Sequence, residues 1–219
     1  MLKIGCRSLS FEIHFTFLLL LFVFLFLGNG MLAFFSVIFS FLHECAHAYA
    51  ARRLGYTPVK ILIGLFGGVL QVKEGYIPRD AELLIHSSGP FFNLCIAMAS
   101  YVLFLLTRQG WIYCIISSNM ILALFNLLPL YPLDGGKIMN IYLSRFLGYE
   151  ISYLISKTFS HVFTVLLFIL GLYLVQYNIV NLLICALAVN LYIAGREDSK
   201  YSFERLMCIY TKLEKGNRI

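Results

Sequence analysis

Residues 31–50 read MLAFFSVIFSFLHECAHAYA, twenty positions that are apolar almost throughout. A run of this length matches one helix crossing a ~30 Å hydrocarbon core, which needs ~20 residues. It nevertheless carries His43, Glu44 and His47. An ionised carboxylate at mid-membrane costs ~2.5–3.5 kcal/mol even on lenient insertion scales, so polar groups here argue for a site. On a helix, His43 and His47 lie one turn apart and point the same way, and two imidazole nitrogens so placed can share one zinc ion. Glu44 follows His43 by about 100° of rotation, which brings it near a water at the metal without making it a ligand.

The rest of the chain fits this reading. Of its 219 residues 60% are hydrophobic and 13% charged, against about half and about 25% in an ordinary soluble domain. Soluble globular, disordered, collagen-like and disulfide-stapled classes are excluded. Apolar segments fall at 15–27, 31–50, 83–106, 111–128, 162–175 and 179–194. The fold expected is an all-α polytopic membrane protein with about six transmembrane helices. Segment 15–27 has the look of a signal peptide, but its flanks suit an anchor. The six cysteines are scattered without a Cys-x-x-Cys pair and read as small apolar fillers.

Charge sets the expected orientation. With a cytoplasmic N-terminus, six spans place every one of the 17 Lys and Arg residues except Arg108 on the cytoplasmic side. Both termini are then cytoplasmic, and the net charge of +6 needs no nucleic acid to explain it. The lipid bilayer is the partner that this pattern implies.

Two stretches are neither plain spans nor plain loops. Residues 59–72 are apolar, partly β-branched and broken by Gly67-Gly68, which predicts a short β-hairpin. At membrane depth such backbone must be buried or line a cavity, so a re-entrant hairpin beside the site is expected, with an interfacial loop as the alternative. An exposed hairpin edge could pair with an extended substrate, and a Pro at Val69 or Val72 should then slow the reaction. In the tail, Phe203, Leu206, Met207, Tyr210 and Leu213 recur at helical spacing between basic residues. Residues 196–219 are therefore expected to form an amphipathic helix on the cytoplasmic leaflet, or one that binds a partner, outside a catalytic domain spanning 1–195.

A catalytic zinc usually takes three protein ligands. Residues 126–136 read NLLPLYPLDGG directly after the fourth span, and there the prolines and glycines interrupt the helix beside Asp134. The charge-derived topology ends the second and fourth spans on the cytoplasmic side. His43, His47 and Asp134 are thereby brought to one depth near that leaflet. Other ionisable residues fit less well. Glu12 and His14 are expected at the start of the first span as a snorkelling or gating pair, His86 and His161 as packing residues, and Glu74, Asp80 and Glu82 in a solvated loop.

These motifs resemble those of the site-2 proteases, intramembrane zinc metalloproteases that pair a His-Glu-x-x-His helix with a later Leu-Asp-Gly segment. Both occur here in that order with an Asn-x-x-Pro-x-x-Pro lead-in, and Gly89-Pro90-Phe91-Phe92-Asn93 and Phe66-Gly67-Gly68 resemble two further family elements. The resemblance runs from residue 13 to about 205. It implies hydrolysis of a peptide bond in or beside a membrane segment, with Zn2+ on His43, His47 and Asp134 and Glu44 as general base. Asn93 and Asn126 would orient substrate or stabilise the oxyanion. Within the family, Ile13-His14-Phe15, residues 66–72 and residues 126–137 are most similar to sporulation members that process a pro-sigma factor. That implies a membrane-associated pro-sigma substrate, inhibitory membrane partner proteins and the membrane surrounding a forespore. A membrane-spanning anti-sigma factor is the alternative substrate. A metal-ion transporter and a non-hydrolytic scaffold are the alternative functions. Cys45-Ala46 replaces the frequent Leu-Gly of the zinc motif, and no C-terminal nucleotide-sensing CBS domain is expected.

Overall fold

The structure, a computed structural model, describes residues 2–6, 9–13, 30–64, 67–72 and 77–196. In chain order these form β1 (Leu2–Cys6), β2 (Leu9–Ile13), α1 (Gly30–Arg53), β3 (Pro58–Gly64), β4 (Gly67–Val72), α2 (Arg79–Thr107), α3 (Ile112–Asn126), α4 (Asp134–Leu147), α5 (Tyr149–Val175), a 3-10 turn (Ile179–Asn181) and α6 (Leu182–Arg196). The chain divides into two compact units, residues 1–128 and 129–219.

Helices dominate, but the chain is not all-α. A four-stranded sheet of order β1-β2-β3-β4 lies within the first unit. Strands β1 and β2 pair antiparallel, with Leu2, Ile4 and Cys6 opposite Ile13, Phe11 and Leu9. Glu12, expected at the start of a span, instead occupies β2 opposite Lys3. Strand β2 then pairs parallel with β3, Ser10 opposite Lys60 through Ile13 opposite Ile63, a crossover that α1 bridges in sequence. Strands β3 and β4 run antiparallel from Gly64 opposite Gly67 to Pro58 opposite Val72, with an irregularity between Pro58 and Lys60. Since only two residues separate Gly64 from Gly67, ladder alternation turns the N–H groups of Gly68, Leu70 and Val72 toward the outer edge of β4.

Within the first unit α1, α2 and α3 pack on one another. Ala33, Ala51, Ala97 and Ala123 on these helices are buried. Small side chains let apolar helices approach closely where no hydrophobic drive acts between them. Ser36 donates to Ser118 Oγ at 3.3 Å, and Phe35 stacks on Trp111.

In the second unit α4 packs on α5. Ser152, Ser156, Ser160 and Thr164, four residues apart, form a buried stripe on α5. Further along, a Cβ on Gly171 would come within 2.7 Å of Cys185 Sγ, so the absence of a side chain sets the approach of α6. Large side chains such as Met98, Leu106, Phe146 and Leu154 face outward, as suits a lipid environment.

Among the described residues three helices, α1, α2 and α5, are long and apolar enough to cross a membrane. The shorter α3, with 15 residues, spans roughly 22 Å at 1.5 Å per residue, and α6 is of similar length. Apolar segment 15–27, His14, Glu74 and the tail beyond Arg196 lie outside the described residues.

Candidate metal centre

The buried face of α1 carries Ala33, His43, Glu44, His47, Ala48 and Ala51, so the two histidines and the carboxylate share the side on which neighbouring helices pack. His43, Glu44 and His47 place potential ligand atoms within 4.8 Å of one another, the one such cluster among the described residues. The two Nε2 atoms stand 3.1 Å apart, with the rings edge to face at 4.7 Å between centroids. Two nitrogens on one tetrahedral zinc, each at ~2.0–2.1 Å, are separated by about 3.3 Å, so this pair fits a shared ion.

Helix α2 supplies the surroundings. Pro90 has no N–H to give its helix and Gly89 has no side chain, so α2 is narrow where the histidines meet it. A Cβ on Gly89 would lie 2.5 Å from His47 Nε2 and 2.6 Å from His43 Nε2, in the space an ion between them requires. His47 Nδ1 donates to the Ile85 carbonyl at 2.7 Å, with Ser88 Oγ 3.3 Å away. A carbonyl can only accept, so Nδ1 carries the proton and Nε2 offers its lone pair to a metal. Neither Ser88 nor the Ile85 carbonyl was readable as a site group, because the first is a common helix residue and the second is backbone.

Asn93, fully buried on α2, reaches His43 on the other side of the pair, with Nδ2 3.2 Å from Nδ1. Asn126 ends α3, buried, and donates through Nδ2 to the Leu122 carbonyl at 2.9 Å. His86 stands 6.1 Å ring to ring from His47, and His161 5.2 Å from Tyr192.

Asp134 belongs to the second unit, where it is the buried first residue of α4. The segment before it is held tightly. Leu133 N–H donates to the Leu130 carbonyl at 2.8 Å, Tyr131 N–H to Ser160 Oγ at 2.9 Å, and Gly136 lies so close to the backbone of Leu130 and Tyr131 that a Cβ would meet it at 2.5 Å. A carboxylate in the first turn also suits the positive end of the helix dipole.

A His-Glu-x-x-His motif buried inside a membrane-length helix defines the class: a polytopic membrane protein with a metal-binding motif among its spans. The family model of "Peptidase family M50" matches residues 30–110 and 108–170. The chain belongs to this family, the site-2 protease family that its motifs resemble. It is similar to zinc metalloprotease MJ0392 of Methanocaldococcus jannaschii, 29% identical over 206 residues that cover 88% of this chain and 58% of that protein. It is also similar to stage IV sporulation protein FB of Bacillus subtilis, 27% identical over 129 residues, 58% of this chain and 45% of that one. The chain thus spans about half the length of these curated relatives. A solved structure of the site-2 protease from Methanocaldococcus jannaschii superposes with a TM-score of 0.74 at 26% identity, covering 90% of this chain and 94% of that one.

Proposed function

We propose that the protein is an intramembrane zinc endopeptidase that cuts a peptide bond in or beside a membrane segment of a regulatory protein. The observation that carries this is the pair of histidine Nε2 atoms 3.1 Å apart, next to buried Glu44, in a helix long enough to span a membrane. His43, His47 and Asp134 hold the metal in this reading. Asp134 is supported by its buried position behind a tightly fixed turn. When bound, zinc supplies Lewis-acid polarisation of the scissile carbonyl and of the attacking water.

The chain's own groups do the rest. Glu44 takes a proton from the attacking water and returns it to the amine that leaves. The Ile85 carbonyl keeps His47 in the tautomer that presents Nε2. Asn126, buried at the head of the segment leading to Asp134, is assigned to orienting the substrate or stabilising the oxyanion.

A membrane helix satisfies its backbone internally and must be unwound before a carbonyl can be attacked. Strand β4, at one edge of its sheet, is assigned to that task as a membrane-re-entrant hairpin, with the N–H groups of Gly68 and Leu70 pairing to an extended substrate. Six spans, both termini in the cytoplasm and a site near that leaflet remain the topology that the Lys and Arg distribution favours. The catalytic domain is assigned to 1–195 and the amphipathic tail to 196–219.

The likeness to a stage IV sporulation protein supports a sporulation role, and the motif resemblance noted in the sequence assigns a pro-sigma factor as substrate with inhibitory membrane proteins as regulators. Coexpression with the pro-sigma factor of the same genome tests this, with Glu44→Gln as control. A shortened product with the wild type alone is expected. Cleavage of a membrane-spanning anti-sigma factor in its place would redirect the substrate assignment and leave the peptidase standing.

A further inference from the structure

We infer that Asn93 is a positioning residue that acts through His43: its amide tracks the tautomer of that imidazole and turns over when the metal binds. The inference rests on His43 being a metal ligand, as proposed above, and departs from a role for Asn93 at the substrate carbonyl.

The hydrogen bonds around the two histidines form one directed chain. Asn93 Nδ2, an obligate donor, lies 3.2 Å from His43 Nδ1, so that nitrogen accepts and carries no proton. In a neutral ring the proton must then sit on His43 Nε2. From there it points at His47 Nε2, 3.1 Å away, which can accept because the proton of His47 is committed through Nδ1 to the Ile85 carbonyl.

A metal at His43 Nε2 cannot coexist with a proton there. That proton must move to Nδ1, which then needs an acceptor. Asn93 holds one: its Oδ1 is buried and has no hydrogen-bond partner among the described residues. Half a turn of the amide brings Oδ1 to His43 Nδ1–H with no change of backbone. The amide keeps one unpaired polar atom in either orientation, so occupancy at Nε2 selects between them.

Placement favours the positioning role. Asn93 is fully buried and contacts Nδ1 of His43, the ring nitrogen opposite the Nε2 that approaches His47. Ile85 and Asn93, two turns apart on α2, thus serve the two histidines in parallel: a backbone carbonyl that fixes one tautomer and an amide that permits both.

The test is zinc affinity, measured by chelator competition on the full chain purified in detergent, together with the 15N shifts of His43 in the metal-free and zinc-loaded protein. Asn93→Ala should bind zinc roughly 10- to 100-fold more weakly. Asn93→Asp, which offers only acceptors, should restore wild-type affinity or better. In the wild type the protonated nitrogen of His43 should change from Nε2 to Nδ1 on zinc loading. Zinc bound equally well by wild type and Asn93→Ala, or a His43 tautomer unmoved by zinc, would overturn the inference and leave the metal centre intact. A wild type that binds no zinc would remove the centre itself, and the inference with it. If Asn93→Ala does not fold, the tautomer measurement on the wild type decides.

Discussion

Gly89 faces His47 so closely that a Cβ at position 89 would stand 2.5 Å from the imidazole Nε2. His43 Nε2 is approached to 2.6 Å by the same atom, so one missing methyl group keeps open the space between the two imidazole Nε2 atoms. Gly89→Ala is therefore expected to displace one or both rings and to lower zinc affinity by more than roughly 10-fold, the scale on which disturbed ligand orientation acts. Elemental analysis of the purified variant checks this. Because Gly89 lies inside α2, Ala itself favours the helix, and secondary structure should be retained.

Asp134 is assigned as the third ligand, and the assignment predicts a sharp chemical distinction. Asp134→Asn keeps the shape of the side chain but withdraws the anionic oxygen that a divalent ion prefers. Zinc content should fall well below one per chain, with thermal stability little changed. Full zinc occupancy in this variant would move the third ligand elsewhere. Gly136→Ala should act on the same centre indirectly, since the added Cβ meets the Leu130 and Tyr131 backbone that precedes Asp134.

The sheet register makes the edge hypothesis specific. Leu70 turns its N–H to the outer edge of β4, whereas Val69, one residue earlier, turns its N–H toward β3. Leu70→Pro should then slow cleavage roughly 3- to 10-fold, the worth of one lost hydrogen bond of about 1 kcal/mol, with zinc content unchanged. Val69→Pro should instead loosen the hairpin itself. The sequence alone pointed equally to Val69 and Val72; ladder alternation keeps only Val72 on the outer edge.

What could be read from the sequence follows from where the signals are local. His43 and His47 declare themselves because four residues on a helix make one face, and residues 126–136 because Pro and Gly punctuate an apolar run. Strands β1 and β2 are not legible because a five-residue hairpin becomes part of a sheet only where β2 pairs with β3, some 45 residues further on, and nothing in residues 2–13 announces that partner. Helix α5 begins well before the apolar segment at 162–175, since Ser152, Ser156 and Ser160 dilute its first turns while facing inward. Helix α4 is obscured for a similar reason: Lys137, Asn140 and Arg145 interrupt its apolar pattern. Asn93 stands in a recognisable motif, yet its partner His43 lies 50 positions away and only the packing of α2 on α1 reveals it.

The most direct test of the central claim is cleavage of a membrane-inserted substrate by purified wild type and Glu44→Gln in liposomes, with zinc content measured on the same samples. The account predicts one zinc per chain in both proteins, cleavage by the wild type that a chelator abolishes and added zinc restores, and a loss of roughly 100- to 10,000-fold in the variant. Equal cleavage by the two proteins, or cleavage by a wild type that holds no zinc, would contradict it.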